Sequence, residues 1–354
     1  MKEEKTVSGY YSNKDLYIGL DVHKKRWVVT VRTYDLELKT FSMDASAIEL
    51  ERFLISHYED ALLHIVYKCC FSGFWIYDYF HNKGYNIIVT PTNRILRDGG
   101  FVKTDKIDSR KLAFQHSRDL LKKVIVPTNQ IREYRSLFRF YDKQKEREGV
   151  MLRQIRCILE QRNHPLKWEK WNKIFIEKLK LVKFQEPIFN MKFESIIREY
   201  EFLKEQIKDS EKFIKEIKTD NVLGERISRI EKISGIGIIS ATRFVVFLFD
   251  IKDRFISGEK LVHHLGLTPG EWSSGDEVRR GRTGLTGDKK LRSIIIQLAW
   301  IAVRKDGALL NKFERVYKSS GCKQKAIVAV ARKLMVKVHA ITVKEEDYVV
   351  NKAA

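Results

Sequence analysis

Hydrophobic and polar residues follow three successive textures along this chain. From Leu16 to about Val126, short runs rich in β-branched and aromatic residues lie at 16–20, 27–33, 36–43, 64–67 and 86–89. Runs of that length and composition predict strands, while the stretches 45–58, 73–83 and 107–121 predict helices. Three strands in quick succession, then strand–helix alternation, predict one mixed sheet flanked by helices.

The second texture, 132–218, is helical and densely charged. Within it Ile196, Tyr200, Leu203, Ile207, Ser210, Ile214 and Ile217 step by alternating fours and threes. That is a heptad seam with one polar break, at Ser210. It suits equally a helical hairpin folded on itself within one chain and a dimerisation coiled coil between two. The third texture, from about 223 to 340, is mostly helical but holds much of the glycine, including Gly235, Gly237, Gly266, Gly270, Gly275, Gly281, Gly284 and Gly287. Between Gly266 and Gly287 that density predicts a long loop of functional character. The expected domains are therefore 14–126, 127–222 and 223–342, followed by a tail.

Composition narrows the possible partners. The 354 residues suit two or three domains, and 44% hydrophobic content is enough to build real cores. A formal net charge of +21 calls for an anionic partner, either nucleic acid or an acidic membrane surface. Apolar runs such as 244–249 fall far below the roughly 20 residues of a spanning helix. The N-terminus carries no apolar leader-like segment. No membrane partner and a cytoplasmic location are expected, with nucleic acid as the partner. Cys69, Cys70, Cys157 and Cys322 show no metal-ligand spacing and are read as reduced thiols.

Three aspartates stand out against this background. Asp21 ends a hydrophobic strand in the run Tyr17-Ile-Gly-Leu-Asp-Val-His23, where a buried carboxylate needs a charge partner. Asp105 and Asp108 lie three apart at a helix start, so both point from one face. Either alone would serve as a helix-terminal acid favoured by the dipole. Carboxylates from separate elements meeting at a strand end can instead hold magnesium for phosphodiester chemistry.

Two further segments carry possible nucleic-acid chemistry. In 230–241, Gly235 and Gly237 form a Gly-x-Gly between helical stretches. This suits a helix-hairpin-helix whose backbone amides approach a phosphate, or a plain turn between packed helices. Ser273 and Ser274 precede Gly275 and are followed by Arg279, Arg280, Arg282, Lys289, Lys290 and Arg292. A serine hydroxyl can attack a phosphodiester when nearby cations neutralise its oxygens. Taken alone, Ser-Ser-Gly is ordinary loop sequence.

The segments Gly19-Leu-Asp-Val-His23, Val66-Tyr67, Phe71-Ser-Gly-Phe-Trp75 and Lys103-Thr-Asp-Lys-Ile-Asp108 resemble one known domain. It is the N-terminal domain of DEDD-type insertion-sequence transposases, the family of the Piv invertase and the bridge-RNA-guided recombinases. The resemblance implies a ribonuclease-H-like (RuvC-like) α/β fold with four metal-binding acids, of which Asp21, Asp105 and Asp108 are present. Where that family has a glutamate after the fourth strand, this chain has Lys68. An ammonium there would compete with a divalent cation for the remaining carboxylates and repel it, so an impaired site is expected.

The stretch 233–340 resembles the mainly helical C-terminal domain of the same family. The likeness implies Ser274 as a nucleophile linked covalently to DNA, with Ser273 as fallback. It departs at Leu248-Phe-Asp-Ile251, where that family often has Glu-Ile-Gly-Asp. Also implied are Mg2+, DNA, a structured guide RNA, a bacterial setting, and a dimer or tetramer whose subunits form composite active sites. The expected function is a transposase-type recombinase acting through a serine–DNA intermediate. A catalytically inactive nucleic-acid-binding relative is the alternative that Lys68 favours. Junction-resolving hydrolysis by the first domain alone would need the metal site most.

Overall fold

A computed structural model describes residues 10–69, 71–92, 105–166, 171–274, 277–283 and 287–348, without the side chains of 173, 271–274, 277–280, 282 and 283. Cys70, Lys103, Thr104, Gly275 and Gly284, all singled out above, therefore lie outside the described residues. The chain divides into two compact units, 1–126 and 127–354.

The first unit is built on a five-stranded sheet of order β3-β2-β1-β4-β5. Its strands are β1 (Asp15–Val22), β2 (Arg26–Arg32), β3 (Glu37–Asp44), β4 (Leu62–Lys68) and β5 (Asn86–Thr90). The first three form an antiparallel meander, whereas β4 and β5 run parallel to β1. Helices α1 (Ala47–His57), α2 (Trp75–Asn82) and α3 (Asp105–Ser117) complete the layers. Alternation along β4 sorts them: Ile65 and Tyr67 share a core with α1 and α2, and Val66 packs with Leu112 of α3. The result is the expected mixed α/β domain, consistent with a ribonuclease-H-like fold.

The second unit is mostly helical. Two long helices, α4 (Asn129–Gln161) and α6 (Pro187–Glu216), are separated by the short α5 (Lys173–Lys180). Tyr141, Gln144 and Glu148 of α4 meet Glu211, Ser210 and Lys204 of α6, so the pair runs antiparallel. The heptad seam is thus spent inside the chain: Tyr200, Leu203, Ile207, Ser210 and Ile214 are buried against α4 or its neighbours. Of the two readings the seam allowed, the structure adopts the intrachain hairpin. The polar break has a partner, since Ser210 Oγ donates to Gln144 Oε1 at 2.8 Å in the buried interface.

Beyond a single 3-10 turn (Ile217–Thr219) come α7 (Leu223–Glu231), α8 (Ile238–Phe247), α9 (Ile251–Arg254) and α10 (Gly258–His264). Two strands follow, β6 (Pro269–Ser274) and β7 (Glu277–Thr283), then α11 (Lys289–Ala302), α12 (Gly307–Ser320) and α13 (Lys323–Lys344). Helix α13 is the axis of this part: Ile327, Val330, Leu334, Met335 and Val338 are all buried in one core with α7, α8, α10 and α11.

The long loop expected between Gly266 and Gly287 is not what forms. Strands β6 and β7 pair antiparallel, with Trp272 opposite Arg279, Ser273 opposite Val278 and Ser274 opposite Glu277. The physical reason is in the sequence. The segments 269–274 and 277–283 hold residues such as Trp272, Val278 and Thr283 that favour extended backbone and cross-strand pairing. Glycine count suggested a loop; the residues between the glycines pair as strands.

Candidate active site

One glycine sets the geometry of the first unit's carboxylates. Helix α3 crosses β1 so closely that a Cβ on Gly19 would lie 2.2 Å from Ser109 O and 2.5 Å from Ala113 N. Only glycine admits that approach. The crossing is fastened by Ser109 Oγ, buried and 2.9 Å from Thr30 Oγ1 on β2. Docked in this way, the first turn of α3 places Asp105 and Asp108 at the strand end that carries Asp21.

Asp21 itself is fully buried. Leu20 pairs with Tyr67 on the parallel neighbour β4, so Asp21 and Lys68 each follow by one residue at the same edge of the sheet. Lys68 Nζ lies 2.7 Å from Asp21 Oδ1 and 3.1 Å from Asp108 Oδ2. Burial pulls the Lys68 pKa down, but contacts with the two carboxylates outweigh it and the net shift is upward. The ammonium is held charged. On the other side of Asp21, His23 Nε2 stands 3.3 Å from Asp21 Oδ2 and 3.5 Å from Asp105 Oδ1. Asp21, Asp105 and Asp108 are therefore brought together, linked through Lys68 and His23.

This arrangement bears directly on a metal. The space between Asp21 and Asp108 does not suit a divalent ion, because the Lys68 ammonium already lies there and would repel one. A cluster that could hold an ion remains on the opposite side. There one ligand atom each from Asp21, His23 and Asp105 lie within 4.8 Å of one another. His23 stood in the motif quoted above, yet its participation was not read from it. Its signal was position: two residues beyond Asp21, on the same side of the chain as it leaves the strand.

The second unit holds the other predicted residues. Ser274 ends β6, next to the hairpin tip, with Ser273 before it, and Arg279, Arg280 and Arg282 lie along β7. Gly235 has φ +95° and abuts Ile301, so it turns the chain between α7 and α8. Gly237 caps α8, is exposed, and has open space where a Cβ would stand. A helix N-terminus begun by an exposed glycine is a place where an anion can approach. Lys289 is exposed at the start of α11. Its neighbours are engaged: Lys290 Nζ lies 3.5 Å from Asp142 Oδ1, and Arg292 Nη1 donates to Gly266 O at 3.3 Å. Sequence reading missed Arg243, a buried guanidinium in an apolar helix that clamps Asp142 through two bonds of 2.7 and 2.8 Å and joins α8 to α4.

Comparison with known proteins addresses the same segments. A family model described as the Transposase IS116/IS110/IS902 family matches residues 227–314, which run from α7 into α12 and include the hairpin. The chain is transposase-like. A protein of Sinorhizobium fredii (strain NBRC 101917 / NGR234) that carries a transposase name, y4qE, is 22% identical over 296 residues. That match covers 81% of this chain and 72% of the relative, so the likeness extends over both units. Among the described residues, no helix is long and apolar enough to cross a membrane.

Proposed function

We propose that this protein is a DNA transposase of an insertion sequence, an enzyme of the nuclease and recombinase kind that cuts and rejoins DNA. The observation that carries the reading is the transposase-family match over 227–314, placed beside a ribonuclease-H-like domain whose acids converge at one strand end. In this reading Ser274 is the nucleophile. Its hydroxyl attacks a phosphodiester, the serine–phosphorus bond forms as a phosphorus–oxygen bond of the strand breaks, and the leaving oxygen takes up the proton. Arg279, Arg280 and Arg282 follow on the paired strand and supply positive charge for the phosphate. Gly237 at the α8 N-terminus, with Lys289 and the partly engaged Lys290 and Arg292, contacts backbone elsewhere. A structured guide RNA and a dimer or tetramer belong to the same proposal. Magnesium binds weakly, through the face of Asp21 turned toward His23 and Asp105.

The test is a trapped reaction on suicide-substrate DNA resolved on a denaturing gel. The unmodified protein, or Lys68→Glu if the native site is silent, should yield a covalent protein–DNA adduct. Ser274→Ala should abolish that adduct while binding persists. An adduct lost only in Ser273→Ala moves the role by one residue, and one that survives in the double variant overturns the serine mechanism.

A second reading has its own observation. With the Lys68 ammonium between Asp21 and Asp108, the chain fits a relative that assembles on nucleic acid without cutting it. Binding without adduct in every variant, Lys68→Glu included, would select this reading.

A further inference from the structure

A groove of about 470 Å³ opens in the second unit between α10, α12 and α13. Among the described residues, its lining includes four cations, Lys312, Arg315, Arg332 and Lys333, against a single carboxylate, Glu259. Two of the cations also donate to backbone carbonyls. Arg332 Nε donates to Leu267 O at 2.7 Å, and Lys333 Nζ donates to Ala308 O at 3.1 Å. A carbonyl orients the Lys333 ammonium without neutralising it, so that charge stays available to an incoming anion. Among the described residues, no carboxylate pairs with Lys312, Arg315 or Lys333.

The shape is built in. Helix α10 can lie against α13 because Gly258 has no side chain; a Cβ there would come within 2.9 Å of Val336 Cα. Val262, Ala329 and Val336 supply apolar lining, and no aromatic ring is among the lining residues described. The described lining is dominated by cationic and small apolar side chains, which suits recognition of a backbone by charge and shape. Thr268 borders the groove and directly precedes β6. The bond from Arg332 to Leu267 anchors the base of the hairpin to the groove wall.

We propose that the groove between α10, α12 and α13 binds the phosphodiester backbone of a nucleic acid, independent of sequence, and leads it to the foot of the β6–β7 hairpin. Binding stands on the groove alone; delivery to the hairpin rests on the serine reading above.

The experiment measures affinity by fluorescence anisotropy against salt, for a labelled duplex DNA of arbitrary sequence and an RNA of equal length. The variant Lys312→Gln/Arg315→Gln/Lys333→Gln should bind more weakly. The slope of log affinity against log salt should fall by roughly 2–3, at about 0.9 per lost phosphate contact on duplex DNA. The arm showing the loss identifies the polymer. Lys208, Lys212 and Lys215, exposed on α6, provide a control in which the same number of charges is removed elsewhere. An unchanged slope on both polymers, or an equal fall in the control, overturns the proposal. Lys312→Glu alone, at a partly exposed position, repeats the test with one substitution should the triple variant unfold. Ser274→Ala must keep the full slope, so a missing adduct speaks against the serine and a missing slope change against the groove.

Discussion

Two single residues decide what the first unit can do. At Gly19 even a methyl group would meet the α3 backbone at 2.2 Å, and backbone cannot step aside as a side-chain tip can. Gly19→Ala should therefore cost about 1–3 kcal/mol of stability, read as a lower urea midpoint, and should push Asp105 and Asp108 away from Asp21. A midpoint equal to that of the unmodified protein would show that the crossing is looser than 2.2 Å implies. Lys68 is the second. Its charge satisfies two carboxylates that would otherwise repel each other, so magnesium has little to add to the unmodified protein. Lys68→Glu removes the internal cation and leaves several acids facing one another. That variant should be less stable without metal and should gain thermal stability as magnesium is titrated, while the unmodified protein shows little change. Tight magnesium binding by the unmodified protein would place the ion on a ligand set other than the one around Lys68.

At the scale of elements, the α4–α6 hairpin shows how one seam serves one chain. Ser210 faces Gln144 inside it, and Gln144 Nε2 also reaches Gln206 Oε1 at 3.3 Å. A buried polar contact of this kind fixes which turn of one helix meets which turn of the other, because any shift in register leaves it unpaired. Ser210→Ala should destabilise the protein by about 1–2 kcal/mol by leaving the Gln144 carbonyl without its donor. The loss should be independent of protein concentration, since both partners belong to the same chain. A midpoint that moves with concentration would instead place this seam between subunits.

Across the whole molecule, charge is the dominant property. A net +21 spread over helices and strands makes nucleic-acid binding a matter of displaced counterions. With about 6–10 phosphates contacted, affinity should fall roughly 10³–10⁵-fold between about 50 and 200 mM salt, measured by anisotropy on any duplex. A flat response would remove electrostatics as the basis of binding. Stability of the folded chain should respond far less, because many of its lysines and arginines are paired or held by carbonyls within their own unit.

The sequence by itself determined the alternation of strands and helices in the first unit, because side-chain period and β-branched content are local properties. It also determined the heptad seam and the positions of Asp21, Asp105, Asp108 and Lys68. What it left open depended on contacts between residues distant along the chain. Whether the seam closed within one chain or between two was decided by Gln144, 66 residues from Ser210. That the lysine enters the carboxylate cluster followed from the parallel pairing of β1 with β4, which no local pattern records. Arg243 was legible as a charge in an apolar helix, but its partner Asp142 was not. The groove between α10, α12 and α13 joins three helices spread over some eighty positions, and its charge balance exists only once they are packed. Local chemistry wrote the elements; the sites came from the long-range crossings that glycines at 19 and 258 make sterically possible.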